Sequence, residues 1–273
     1  MRLEINPRLI FVVSFLLIAT ALTPVSAFAD QLTVLPYAAY TNPERGILFE
    51  DMVLFRNSNS PSLSQLKQAG FTLVGTFAEP WFDSWNWGVI KAWITAAHKN
   101  GLRTFIMLID TPDNDVVLAK KVVASGADVL MLDEPLTTHN ATRDQLRSII
   151  SAGLKEKPRL QFIINEYRPA HIQNAYDWTS DFPSVRIATD DYYYQNTIDL
   201  GISLGLQYNK RPLAWLIFAH ESVNFDCFLH LDNWISYAQQ KNVDALWYYI
   251  DLAGTWQIQW QMVIAGGLLA STS

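Results

Sequence analysis

The chain has one cysteine, Cys227, among 273 residues. A lone thiol cannot close an internal disulfide, so stability must come from a packed core, which a chain this long can build. Basic residues are also short: 20 Lys and Arg stand against 26 Asp and Glu, for a net charge of −6. That balance excludes nucleic acid as the expected partner, because phosphate binding needs a basic surface. The five histidines (98, 139, 171, 220 and 230) show no H-x-H or H-E-x-x-H spacing, so no metal site is expected. No G-x-G-x-x-G or Walker pattern occurs, and no organic cofactor is implied. The G-x-S-x-G elbow of serine esterases is missing too. Linkers and low-complexity segments are absent.

Long apolar runs are scarce as well, with one near the amino terminus. Arg2 and Arg8 precede the apolar stretch Leu9 to Leu22, and Ala27-Phe28-Ala29 forms an A-x-A site before Asp30. Residues 1–29 therefore read as a secretory signal peptide, and the mature chain is expected outside the cytoplasm, secreted or periplasmic. Thr20, Thr23, Pro24 and Ser26 break the run before the ~20 residues of a spanning helix, so no membrane association is expected after cleavage.

What remains, residues 30–273, suits one large α/β domain. Short apolar runs alternate with helical spacing along all of it. The first strand is expected within Gly46–Phe55, centred on Met52–Phe55. Further strands are expected at Phe71–Ala78, Arg103–Ile109, Asp128–Asp133, Leu160–Asn165, Val185–Thr189, Leu213–Ala219 and Ala245–Ile250. Helices are expected from Ser62, from Trp85 to Asn100, from Asp113 or Asn114 to Ser125, and from Asn140 to Lys157. Others follow at Pro169–Trp178, Thr197–Gln207 and Phe228–Lys241, with a last one in the apolar tail. Eight strand–helix units at a spacing of about 25 to 35 residues predict an α/β fold, the (β/α)8 TIM barrel, with an open doubly wound sheet as the alternative.

In such a barrel the active site lies at the carboxyl ends of the strands. Those ends are acidic in this chain: Glu79, Asp110, Asp133, Glu134, Glu166, Asp190, Asp191, Glu221 and Asp251. Single acids after strands often cap helices. Seven strands in a row ending in acids point instead to a site where carboxylates repel and some pKa values rise. Two carboxylates flanking a scissile bond are what glycoside hydrolysis requires. Glu134 after strand four and Glu221 after strand seven are the pair singled out as catalytic, because those strands face each other across an eight-stranded barrel. Glu134 with Glu166 or Asp190, and Asp133 with Asp190 or Asp191, are the other pairs open. The aromatic load (10 Trp, 11 Tyr, 14 Phe) also suits a cleft that stacks on sugar rings. Trp81, Trp85 and Trp87 follow strand two, either as a sugar-stacking wall or as the seat of a helix on the barrel.

These residues resemble the clan of retaining (β/α)8 glycoside hydrolases. That clan ends strand four in an acid/base glutamate, usually within Asn-Glu-Pro, and strand seven in a nucleophile glutamate. Asp133-Glu134-Pro135 and His220-Glu221-Ser222 stand at those places. The resemblance implies a poly- or oligosaccharide substrate, Glu134 as acid/base and Glu221 as nucleophile. The clan's tyrosine after strand six corresponds to Tyr192 or Tyr193. Expected substrate contacts are Asp133, Glu166, Asp190, Tyr192, Trp81 and His220. One departure is Asp133, where an asparagine usually donates to a sugar hydroxyl, since an ionised aspartate cannot donate. The D-x-D-x-E signature of family 18 chitinases is absent, because Leu130 and Leu132 occupy its aspartate positions. A carbohydrate-binding barrel without catalysis is the competing expectation.

Overall fold

The computed structural model describes residues 44–49, 62–78, 87–109, 112–190, 195–217 and 243–249. Within them the chain runs β1 (Arg45–Phe49), α1 (Leu63–Gln68), β2 (Leu73–Ala78), α2 (Trp87–Lys99), β3 (Arg103–Leu108), α3 (Pro112–Ser125) and β4 (Val129–Asp133). It continues through α4 (Arg143–Glu156), β5 (Gln161–Glu166), α5 (Pro169–Trp178), β6 (Val185–Asp190), α6 (Gln195–Gln207), β7 (Leu213–Ile217) and β8 (Asp244–Tyr249). The eight strands close a barrel in sequence order, each parallel to the next, and β8 pairs with β1. The fold is therefore a (β/α)8 barrel.

The helix ends follow local chemistry. Ser62 and Thr142 each form a capping box, accepting from the backbone N–H of Gln65 and Gln145 while those glutamines accept in return. Gly70, Gly101 and Gly126 follow α1, α2 and α3 with φ of 91°, 70° and 96°, a left-handed turn that side-chain-bearing residues resist.

Several boundaries shift by a residue or two from expectation, and three elements show a local cause. Strand one is described at Arg45–Phe49, overlapping the expected Gly46–Phe55, and the expected centre at 52–55 lies outside the described residues. Gly46 lets this strand approach its neighbour closely. A Cβ there would sit 2.2 Å from Leu246 Cδ2, so a bare backbone lets β1 lie against β8. Helix α3 begins at Pro112 rather than after an Asp113 or Asn114 cap, since proline at a first turn loses no hydrogen bond. Helix α4 begins at Arg143, after the Thr142 cap, while Asn140 turns the chain with φ 52°. The helix expected at 228–241, the tail helix and the signal peptide lie outside the described residues.

Strand alternation sorts the core into two layers. Leu48, Leu73, Phe77, Phe105, Met107, Val129, Met131, Ile163, Leu213, Trp215 and Leu246 fill the barrel interior. Their neighbours, among them Val74, Ile106, Leu130, Leu132, Ile164 and Ile187, pack outward against the helices. The larger layer is the one between sheet and helices, as this architecture requires. Trp87 belongs to that outer layer, partly buried, and so seats α2 on the barrel.

Charged residues close the amino end of the barrel. Glu44 accepts from Arg103 at 2.5 Å and from Arg186 at 2.7 Å. Asp244, with no exposed surface, accepts from Arg186 at 2.5 Å, from Arg211, and from the Glu44 backbone N–H at 2.7 Å. Arg103 also donates to Gln161 at 2.7 Å. Burial pushes the Asp244 carboxyl up, and the two guanidinium groups oppose that rise. Among the described residues no helix is long and apolar enough to cross a membrane.

Candidate active site at the carboxyl end of strands four and five

Strand β4 ends in Asp133, and the turn that follows carries Glu134. Val129 and Met131 point into the barrel, so Asp133 continues that face to the mouth. On β5, Ile163 is the inward residue and Asn165 follows it two positions on. Asp133 and Asn165 are paired in register, and Asn165 Nδ2 donates to Asp133 Oδ1 at 3.0 Å. Asp133 is half-buried, Asn165 buried.

Glu134 leaves the strand with φ 44°, a left-handed conformation uncommon for a residue with a side chain. Its N–H still donates to the Asn165 carbonyl at 2.9 Å, and its carbonyl accepts from the Thr138 N–H at 2.8 Å. The Thr138 hydroxyl donates to Glu134 Oε2. The turn thus fixes both the backbone and the carboxylate of Glu134, which is half-buried. Strain of this kind clusters at functional sites.

Glu166 ends β5 on the other face. Ile164, two residues earlier, packs in the layer between sheet and helices. Glu166 has no exposed surface. Its Oε1 accepts from the Leu136 N–H at 2.7 Å and its Oε2 from the Thr137 hydroxyl at 2.6 Å. His171 Nδ1 on α5 lies 2.7 Å from the same hydroxyl. Burial pushes the Glu166 carboxyl up to about 7; hydrogen bonds from Thr137 and Leu136 oppose the shift, and the nearby charge of Glu134 adds to it. His171 is pulled down by burial and by Arg168.

Asp133, Glu134 and Glu166 are therefore brought to one end of the barrel, where strand tips were expected to converge. Glu166 sits behind the β4–α4 turn and would meet a ligand in the mouth only if that turn moved. Asp190 closes β6, paired in register with Trp215, and its side chain is outside the described residues. Glu221, His220, Tyr192 and Trp81 are also outside them. Four residues the sequence reading passed over belong to the cluster: Thr137, Thr138, Asn165 and His171. Asn165 was legible by alternation, two places after inward Ile163. The threonines and His171 carry no pattern, because the turn and α5 bring them in. Among the described residues no group of three or more His, Cys, Asp or Glu is placed to hold a metal.

No family model matches the chain, and no curated protein matches it. Solved structures do. Tryptophan synthase from M. tuberculosis, in an aminoacrylate-bound form, superposes with TM-score 0.56 at 12% identity over 84% of this chain and 92% of that one. Orotidine 5'-monophosphate decarboxylase from Methanocaldococcus jannaschii gives 0.53 at 9%, over 83% and 97%. An alpha-amylase from Geobacillus thermoleovorans, complexed with acarbose, gives 0.51 at 12%, over 85% and 79%. At such identities these similarities show the fold alone, a TIM barrel. The matched barrels are enzymes with unrelated chemistries, so the barrel by itself selects no reaction.

Proposed function

We propose that this chain is an exported glycoside hydrolase acting on a poly- or oligosaccharide. The observation that carries the reading is Glu134: a carboxylate at the end of β4, held on a left-handed backbone and gripped by Thr138. In this reading Glu134 donates a proton to the glycosidic oxygen as the bond to the anomeric carbon breaks. Glu221 attacks that carbon, and the deprotonated Glu134 then takes a proton from the water that releases the sugar. Asp133 accepts from a sugar hydroxyl, and its bond from Asn165 fixes its orientation. Asp190, Tyr192, Trp81 and His220 complete the substrate contacts, and Glu166 acts from behind the turn.

The test is hydrolysis of a broad panel of polysaccharides and aryl glycosides by residues 30–273. Wild type is run beside Glu134→Gln and Glu221→Gln. Losses of about 10²-fold or more in both variants are expected, the range for removing a general acid or nucleophile. Activity that survives both changes would move the chemistry to another acid pair. Sugar binding with no hydrolysis would replace the enzyme with a carbohydrate-binding barrel.

A further inference from the structure

Thr137 has one hydroxyl proton and two partners that compete for it. Its oxygen lies 2.6 Å from Glu166 Oε2 and 2.7 Å from His171 Nδ1. When Glu166 is ionised it can only accept, so the hydroxyl must point to it. His171 Nδ1 must then carry a proton and donate to the threonine oxygen. When Glu166 is protonated it donates to that oxygen, and the hydroxyl turns to a bare Nδ1. His171 then carries its proton on Nε2.

We propose that Glu166 is a positioning residue for Glu134, linked through Thr137 to His171 by a hydrogen-bond chain whose direction follows the charge on Glu166. This rests on the reading of Glu134 as the catalytic acid. The chain is also the route by which a wholly buried carboxylate meets solvent protons. A proton enters at Nε2 of the half-buried His171, and the Nδ1–H bond breaks as a new bond forms to the threonine oxygen. The original hydroxyl proton passes to Glu166 Oε2. One proton is taken up and none is left over. Among the described residues, the charged groups facing the hydrogen-bond chain are Glu134 on the turn and Arg168 ahead of α5. On β6 the register partner of Glu166 is Thr189, which is uncharged. The same carboxylate grips the turn twice, through Leu136 and Thr137, and so fixes the loop that aims Glu134.

The decisive measurement is the His171 tautomer, read by ¹⁵N NMR of histidine-labelled residues 30–273 between pH 5 and 9, with Thr137→Val, Thr137→Ser and Glu166→Gln alongside. His171 is assigned by its loss in His171→Gln. The expected result is a switch from Nε2–H to Nδ1–H with rising pH in wild type. Thr137→Ser should keep the switch, and Thr137→Val and Glu166→Gln should lose it. A wild-type tautomer that ignores pH, or a switch that persists in Thr137→Val, would overturn the chain. The positioning role is read in hydrolysis: kcat should fall about 10- to 100-fold in Thr137→Val with KM little changed, the scale for a small misplacement of a reacting group. An unchanged kcat would overturn that role. Absence of hydrolysis in wild type would sink the glycosidase reading, and the tautomer switch would still decide the chain.

Discussion

Replacing Glu166 by Gln tests the burial of its carboxylate through stability. The folded-state pKa is about 7 against an ordinary 4.5, raised chiefly by burial. The fold therefore favours the protonated form. Its contribution is fully present below pH 4.5 and is lost as pH rises through 7. Integrated between pH 5 and 8, the loss is about 2 to 3 kcal/mol. Glutamine keeps the shape and does not titrate, so comparing the two proteins cancels the remaining carboxylates. Urea unfolding followed by tryptophan fluorescence at pH 5 and pH 8 measures the gap. Moving from pH 5 to pH 8, Glu166→Gln should gain about 2 to 3 kcal/mol relative to wild type. A gap constant to within about 0.5 kcal/mol would mean that Glu166 is not a buried acid that titrates near neutrality. A gap moving the opposite way would mean that its hydrogen bonds outweigh its burial.

The barrel floor and the glycines offer further checks by thermal or chemical unfolding. Asp244→Asn removes the carboxylate that Arg186 and Arg211 share while Glu44 still pairs with Arg186, and should cost about 1 to 3 kcal/mol, the range for losing hydrogen bonds to a buried charged group; a loss below about 0.5 kcal/mol would show that water reaches the floor. Gly75→Ala puts a Cβ 2.3 Å from the Phe105 ring and should cost about 1 to 3 kcal/mol, with part of it recovered in the double variant with Phe105→Leu. Additive effects in that pair would refute the contact. Glu134→Gly relieves a left-handed backbone worth about 1 to 2 kcal/mol but loosens the unfolded chain, so stability should stay within about 1 kcal/mol of wild type while hydrolysis is lost. A larger loss of stability would make Glu134 a structural residue.

The barrel was legible in the sequence because a parallel strand buried on both faces reads as a continuous apolar run. Leu130-Met-Leu132 and Phe162-Ile-Ile164 are such runs, each followed by polar residues and a helical period. The acids at the strand ends were legible for the same reason, since charge cannot continue into a buried strand. The helix stops at Gly70, Gly101 and Gly126 are of the same local kind, since only glycine meets the positive φ there without strain. Strand one was legible only as a stretch, Gly46–Phe55, because Met52–Phe55 is as apolar as Ile47–Phe49. Pairing with β2 and β8 shows the strand at Arg45–Phe49, and pairing is not a local property.

Which face each acid takes was the part tertiary structure decided. Asp133 and Glu166 look alike in the sequence, each an acid closing an apolar strand. Alternation from Met131 sends the first to the mouth, and alternation from Ile164 sends the second beneath the β4–α4 turn. Burial there raises the Glu166 carboxyl, a property of its surroundings that no residue type encodes. Thr137 and His171 lie 34 positions apart and meet only because β5 and α5 fold back over the turn. The sequence by itself determined the barrel and the acidic rim, because both follow from local periodicity and the cost of burying charge. The polarity of the floor, the left-handed Glu134 and the Glu166–Thr137–His171 chain came from closure of the sheet, which brings distant residues within hydrogen-bond reach.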